Sequence, residues 1–290
     1  MHGDRPQSGS EFEPPAGIFS VPAPVRFANA LLSRIAPPLA VRLASRLFSI
    51  PRRAQVRAYE EEVLERADRF SHDFEGQRLR GYAWGDGPVV FFLHGWGSRG
   101  SRFALFVDPL VRAGFRVITW DAPAHGDSQG RTTNAPTIAR AFRSVADSTG
   151  PLHAIVAHSL GSWVAALSLQ NGVDADRVAF IAPPGDLHFF SRNFIAALGF
   201  SAPIHAGMEA LFERRTGIPW QRLTVQGLSE GQTAPLIVIH DRHDATVPLD
   251  QARLLTEGWP GASLLETSGL GHRAIMKDPE VIEAVVRFLT

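Results

Sequence analysis

The chain has no cysteine. That excludes disulfides, thiolate metal sites and a cysteine nucleophile, and it leaves the redox compartment undecided. Net charge is also missing: 29 Lys and Arg balance 29 Asp and Glu over 290 residues. Nothing global therefore points to nucleic acid or to a strongly charged partner, and no nucleic-acid partner is expected. No uninterrupted apolar run reaches the ~20 residues that a membrane span needs. Pro37 and Pro38 break the most apolar early stretch, Val25 to Phe48. No apolar core follows a basic start, so no secretory leader is expected and a cytoplasmic protein is. One absence is local. No acidic residue stands between Pro14 and Tyr59, whereas Arg26, Arg34, Arg42, Arg46, Arg52, Arg53 and Arg57 all do.

What is present suits a soluble globular protein: 44% hydrophobic and 20% charged residues. The length allows one large α/β domain or two small ones. Residues 1–17, "MHGDRPQSGSEFEPPAG", are polar with Pro and Gly and read as a disordered tail. Residues 18–69 read as a basic helical extension. Apolar stripes at helical spacing usually mark a docking face, so two helices are expected to lay their Leu/Phe face on the body. Contact of these basic helices with an anionic membrane surface is the alternative and is not favoured. "EEEVLERADRF" reads as an exposed helix.

From there the pattern changes. Residues 77–84 read as a strand, and "PVVFFLHG" (88–95) is a short continuous apolar run of the kind buried on both faces of a sheet. Runs at 115–121, 152–159, 177–183 and 235–241 repeat it, with a weaker last strand at 262–268. Helical spacing fills 101–112, 135–148, 160–171, 249–258 and 279–289. Strand and helix alternate, which predicts an α/β fold with a mostly parallel twisted sheet and helices on both faces. The rhythm breaks once, at 186–233. This insertion holds Phe189, Phe190, Phe194, Phe200, Phe212 and Trp220, and a segment that long is expected to carry its own helices and to act as a lid. The main domain is thus expected over 70–290.

In an open parallel sheet, ligands sit beyond the carboxyl ends of the strands. After "LHAIV" comes Ala157-His158-Ser159-Leu160-Gly161, leading straight into a helix. This is G-x-S-x-G with Ala in first place, a turn so sharp that the positions two before and two after the serine must be small. It exposes the serine hydroxyl beside the free N–H groups of a helix start. Upstream, His94-Gly95-Trp96-Gly97 ends another strand in a glycine-flanked turn that can aim an N–H at a developing oxyanion. The amides of Trp96 and Leu160 are the expected donors. A serine hydroxyl needs a base, and the base needs a partner that holds its tautomer. Of eleven histidines, position favours His272, in a glycine-rich loop past the last strand. His94, His125 and His158 each have a local role beside other strand ends.

Four motifs in order, "HGWG", "DAPAHGDS", "AHSLG" and "HDRHDATVP…GLGH", resemble those of α/β-hydrolase-fold serine hydrolases over about residues 70–290. Ala124 stands where that family has the first glycine of its D-x-P-G-H-G-x-S motif. The Arg-rich leader resembles one in poorly characterised bacterial members. Three aspartates compete to orient His272: Asp244, Asp186 and Asp241. The family's H-G-x-x-D-x-x-V-P, laid over "HDRHDATVP", puts the acid on Asp244, with Asp186 as the alternative. The spacing of His240, Asp241, His243 and Asp244 fits no metal motif, so no metal and no cofactor is expected.

The resemblance implies a hydrolase that cleaves a carboxylic ester or thioester through an acyl-enzyme, on a small-molecule substrate with an apolar part. Peptidase, C–C hydrolase and acyltransferase chemistry use the same three residues, and a slow-turnover ligand sensor or scaffold is a further alternative. A serine at the turn argues against the dehalogenase and epoxide hydrolase chemistries of this fold, which use an aspartate there.

Overall fold

The computed structural model describes residues 21–290, so the expected tail at 1–17 lies outside the described residues. In chain order the strands are β1 (Asp68–Phe74), β2 (Gln77–Trp84), β3 (Val89–Leu93), β4 (Arg116–Asp121), β5 (Leu152–His158), β6 (Ala175–Ile181), β7 (Leu236–Asp241) and β8 (Ser263–Thr267). They form one sheet in the order β1-β2-β4-β3-β5-β6-β7-β8. β2 is antiparallel to both β1 and β4, and the remaining pairs are parallel. Three helices precede the sheet: α1 (Ala23–Ile35), α2 (Pro37–Phe48) and α3 (Ala58–Glu65). The helices between strands are α4 (Ala104–Arg112), α5 (Ala135–Ala146) and α6 (Leu160–Gln170). The insertion supplies α7 (Leu187–Ala197), α8 (Ala202–Thr216) and α9 (Val225–Ser229), and α10 (Leu249–Gly258), α11 (Gly271–Ala274) and α12 (Pro279–Leu289) follow.

The central strands behave as buried-on-both-faces runs should. Along β3, Val89, Phe91 and Leu93 belong to one apolar cluster, while Val90 and Phe92 belong to the other. The period of two thus sends alternate side chains into the cores above and below the sheet. Burying each phenylalanine contributes about 1.5–3 kcal/mol. A third cluster joins Ala40 and Ala44 of α2 to Phe194 and Ile195 of α7 and to Ile204 and Met208 of α8.

Three expectations need correction. First, the charged stretch after Tyr59 is not an exposed helix throughout. α3 ends at Glu65, and β1, beginning at Asp68, pairs with β2 across Glu75 and Gly76. Both turn residues have positive φ, 48° and 74°, as a two-residue hairpin requires. Second, α3 buries Glu60, Val63 and Leu64. Third, α1 and α2 do dock, but only Leu32, Val41 and Phe48 of their large apolar residues take part. Asn29, Ser33, Ala40 and Ala44 face inward, while Phe27, Ile35 and Leu39 are exposed.

Glu60 is what fastens α3. Its fully buried carboxylate accepts from Ser101 Oγ and pairs with Arg102. Removing one partner of a buried pair strands the other, so Glu60→Ala is expected to cost about 3 kcal/mol in urea unfolding. A loss below about 1 kcal/mol would show that the pair is not holding this segment.

Candidate active site

Ser159 sits at the end of β5 with φ 52° and ψ −125°, a region L-residues rarely adopt. Its amide donates to the Ile181 carbonyl of β6 at 3.0 Å. Gly161 has no room for a side chain: a Cβ there would lie 2.1 Å from the Leu93 carbonyl oxygen. The requirement for small residues around the serine is therefore met by direct contact with β3.

His272, on α11, brings Nε2 to 3.0 Å from Ser159 Oγ and Nδ1 to 2.7 Å from Asp244 Oδ2. An ionised carboxylate only accepts, so Nδ1 carries the proton and Nε2 offers its lone pair to the serine hydroxyl. The other Asp244 oxygen accepts from the amides of Thr246 and Val247 at 2.7 and 2.9 Å. Burial would raise the Asp244 pKa, but His272 and the two amides outweigh it and hold the carboxyl below its usual range.

The other two aspartates are engaged elsewhere. Asp186 caps α7, accepting from the His188 amide at 2.7 Å. Asp241 is buried and accepts from the amides of His243 and Leu270 and from Thr267 Oγ, at 2.9, 3.0 and 2.8 Å. Burial works against its ionisation, yet these donors and the Gly271 amide push its pKa down to about 2. Asp241 thus ties the loop of Asp244 to the loop carrying His272.

The "HGWG" loop is fixed by His94. The Ala122 amide donates to His94 Nε2 at 3.0 Å, so Nδ1 is protonated and donates to the Gly95 carbonyl at 2.8 Å. Gly95 approaches the serine so closely that a Cβ on it would lie 3.0 Å from Ser159 Cβ. Trp96 is partly exposed and stands edge-on to the His125 ring. Leu160 opens α6, so its N–H has no intrahelical acceptor.

Two contributors have no signature in the motifs. His158 Nε2 donates to the His272 carbonyl at 2.8 Å, with the two rings 4.9 Å apart. His240, also buried, donates to the Val247 carbonyl at 3.0 Å behind Asp244. Both brace the backbone around His272 and Asp244 from positions where a sequence shows only another histidine.

Within "HDRHD" the side chains diverge: Asp241 and Asp244 are buried while Arg242 and His243 are exposed. Among the described residues, a set able to hold a metal lies instead on α7 and α8. Ligand atoms of His188, His205 and Glu209 come within 4.8 Å of one another there. No member of that set belongs to the Ser159–His272–Asp244 chain of contacts.

A parallel sheet with a strained serine turn, a histidine and a buried carboxylate past its strand ends defines a hydrolase scaffold. The chain belongs to the alpha/beta hydrolase family, whose model matches residues 90–285. It is 30% identical, over 41% of its length, to the magnesium-chelatase 30 kDa subunit of Rhodobacter capsulatus. It spans 45% of that protein and 60% of human ABHD12B. It is 28% identical to the 2-hydroxy-6-oxononadienedioate/2-hydroxy-6-oxononatrienedioate hydrolase of Klebsiella pneumoniae, over 66% of this chain and 83% of that one. Among solved structures, the Pyrococcus furiosus esterase Pf2001 shares the fold with a TM-score of 0.62 at 19% identity, covering 82% of this chain and 98% of that one. Among the described residues, no helix is long and apolar enough to cross a membrane.

Burial holds three histidines around this site neutral. It pushes His94 down to about 4, and His125 and His158 down to about 3, from an ordinary 6.5. Below that ordinary value the unfolded chain binds protons that the folded chain refuses. Their contribution is therefore complete above pH 6.5 and is lost as pH falls toward the folded values between 3 and 4. Calorimetry is expected to give a lower melting temperature at about pH 5 than at about pH 7.5, with net proton uptake on unfolding at the lower pH. Equal melting temperatures would contradict this.

Proposed function

We propose that the protein is a serine hydrolase acting on carboxylic esters or thioesters. The observation that carries this is the continuous contact from Ser159 Oγ through His272 to Asp244, at 3.0 and 2.7 Å. In this reading Ser159 Oγ attacks the substrate carbonyl while its proton passes to His272 Nε2. Asp244 keeps Nδ1 protonated and stabilises the imidazolium that results. The tetrahedral oxyanion is received by the amides of Trp96 and Leu160. His272 then protonates the leaving alcohol or thiol, and a water activated by the same nitrogen releases the acid.

An apolar substrate part finds support near the serine. Phe190 of α7 lies edge-on to Trp163 of α6, the helix that Ser159 opens, and Phe189 packs on Phe190. Many other insertion aromatics are committed to packing: Trp220 is fully buried, and Phe194 and Phe200 belong to the third cluster. Contact with an apolar substrate part is therefore attributed to Phe189 and Phe190 rather than to the whole aromatic set. Amide and C–C bond cleavage would use the same three residues, and the Klebsiella relative bears the name of a dienedioate hydrolase.

A fluorophosphonate probe is expected to label Ser159, and Ser159→Ala to abolish both labelling and turnover. With a panel of aryl esters, acyl thioesters and anilides, turnover is expected for the first two. Asp244→Asn is expected to lower kcat by about 10²–10⁴ with little change in KM. Asp186→Asn is expected to stay near the parental rate. A folded, unlabelled protein, or the reverse ranking of the two aspartates, would overturn the assignment.

A further inference from the structure

The first two helices are built inside out. On α1, the buried residues are polar: Asn29 Nδ2 donates to the Leu198 carbonyl at 2.8 Å, and Ser33 Oγ accepts from the Ser201 amide at 3.3 Å. On α2 the buried residues are small, Ala40 and Ala44. Gly207 of α8 meets Val41 so closely that a Cβ would lie 2.5 Å from it.

Leu32, Val41 and Phe48 pack inward, but six other large apolar residues point the other way. Phe27, Leu31, Ile35, Leu39, Leu43 and Leu47 recur every fourth position and are 72, 46, 71, 55, 37 and 37% exposed. Four-residue steps drift by only about 40° each, so the members within a helix share one face. Scattered exposed leucines are ordinary, but an exposed apolar stripe on each of two consecutive helices marks a surface that something covers.

Charge says what covers it. Arg26, Arg34, Arg42 and Arg46 are exposed among these residues, and no acid occurs from Pro14 to Tyr59. A second copy of the chain would bring the same arginines against each other, because a two-fold contact is self-complementary. An anionic lipid surface satisfies both features together. Apolar tips enter the acyl boundary, while arginine stems lie along it and place their guanidiniums on phosphates.

We propose that the outer face of α1 and α2 is a docking surface for an anionic lipid bilayer. The contact is peripheral, and it stands whether or not the ester reading does. The same helices are bolted to the insertion: Phe48 packs on Phe194 at 5.1 Å, and Asn29 Nδ2 donates to the Leu198 carbonyl at 2.8 Å. Docking would therefore place α7 and α8 directly behind the lipid-facing helices.

The test is sedimentation of the full-length protein with phosphatidylcholine vesicles, with and without phosphatidylglycerol. Binding is expected to the anionic vesicles, to weaken with salt, and to be at least about tenfold poorer to phosphatidylcholine alone. A triple variant Phe27→Gln, Ile35→Gln, Leu39→Gln should lose binding. The pair Arg34→Gln, Arg42→Gln should weaken it about tenfold or more and flatten its salt dependence. Both variants should keep parental circular dichroism, since the substituted side chains are exposed. Failure of the full-length protein to sediment with anionic vesicles would overturn the proposal. So would equal binding to both vesicle types, or unchanged binding by the triple variant. A concentration-dependent dimer that the triple variant abolishes would assign the face to a second copy instead.

Discussion

The strained turn at Ser159 is the constraint around which the rest is arranged. A residue held at φ 52° and ψ −125° costs about 1–3 kcal/mol and persists only where its surroundings over-determine it. Here the surroundings do so from three sides. The Ile181 carbonyl of β6 holds the Ser159 amide, the Leu93 carbonyl of β3 leaves Gly161 no room for a Cβ, and Gly95 presses on Ser159 Cβ. β5 lies between β3 and β6, so the strain is locked by the two most intimate neighbours available in a sheet. The same contacts place the "HGWG" turn over the serine. Geometry that exposes the hydroxyl and geometry that brings up the upstream loop are one feature.

The other half of the site is organised by a division of labour between two aspartates three residues apart. Asp241 is spent on structure: four donors from its own loop and the His272 loop hold it, and its pKa is accordingly low. Asp244 is spent on His272 Nδ1, with its second oxygen fixed by two amides. Asp241 draws the Leu270 amide toward β7, and the Gly269 amide donates to His243 Nδ1 at 3.2 Å, so the two loops are tied at more than one point. His158 completes the frame by donating to the His272 carbonyl. The ring is thus positioned through its backbone from one side and through its imidazole from the other.

The central sheet and the serine turn were legible in the sequence because both are dictated by strong local chemistry. Continuous apolar runs such as "VVFFL" have nowhere to go but a doubly covered sheet, and Ala157 and Gly161 bracket a turn that tolerates little else. β1 was not legible. Its pattern is exposed and polar, and its turn uses Glu75-Gly76 rather than the Asn-Gly or Asp-Gly that advertises a hairpin. The bracing histidines were invisible for another reason: their partners are backbone carbonyls, of Val247 and His272, which leave no trace in residue identity. The set of His188, His205 and Glu209 was missed likewise, because its members come from two helices and only His205 and Glu209 share a helical spacing.

The N-terminal helices expose the limit of periodicity as a guide. A hydrophobic stripe at helical spacing says that one face differs from the other; it does not say which face meets the protein. α1 and α2 meet it with Asn29, Ser33, Ala40 and Ala44, because small residues let the backbones approach α7 and α8 closely. The Arg26 backbone comes so near Gly199 that a Cβ there would lie 2.7 Å from the Arg26 carbonyl oxygen. Much of the aromatic content of the insertion is then accounted for as the other half of this contact, through Phe194 and Phe200. The extension precedes residue 90, where the family match begins, yet it is packed against the insertion through Phe194, Ile195, Ile204 and Met208. Extension and insertion therefore form one layer, joined by a small apolar cluster of its own and separate from the two cores that cover the sheet.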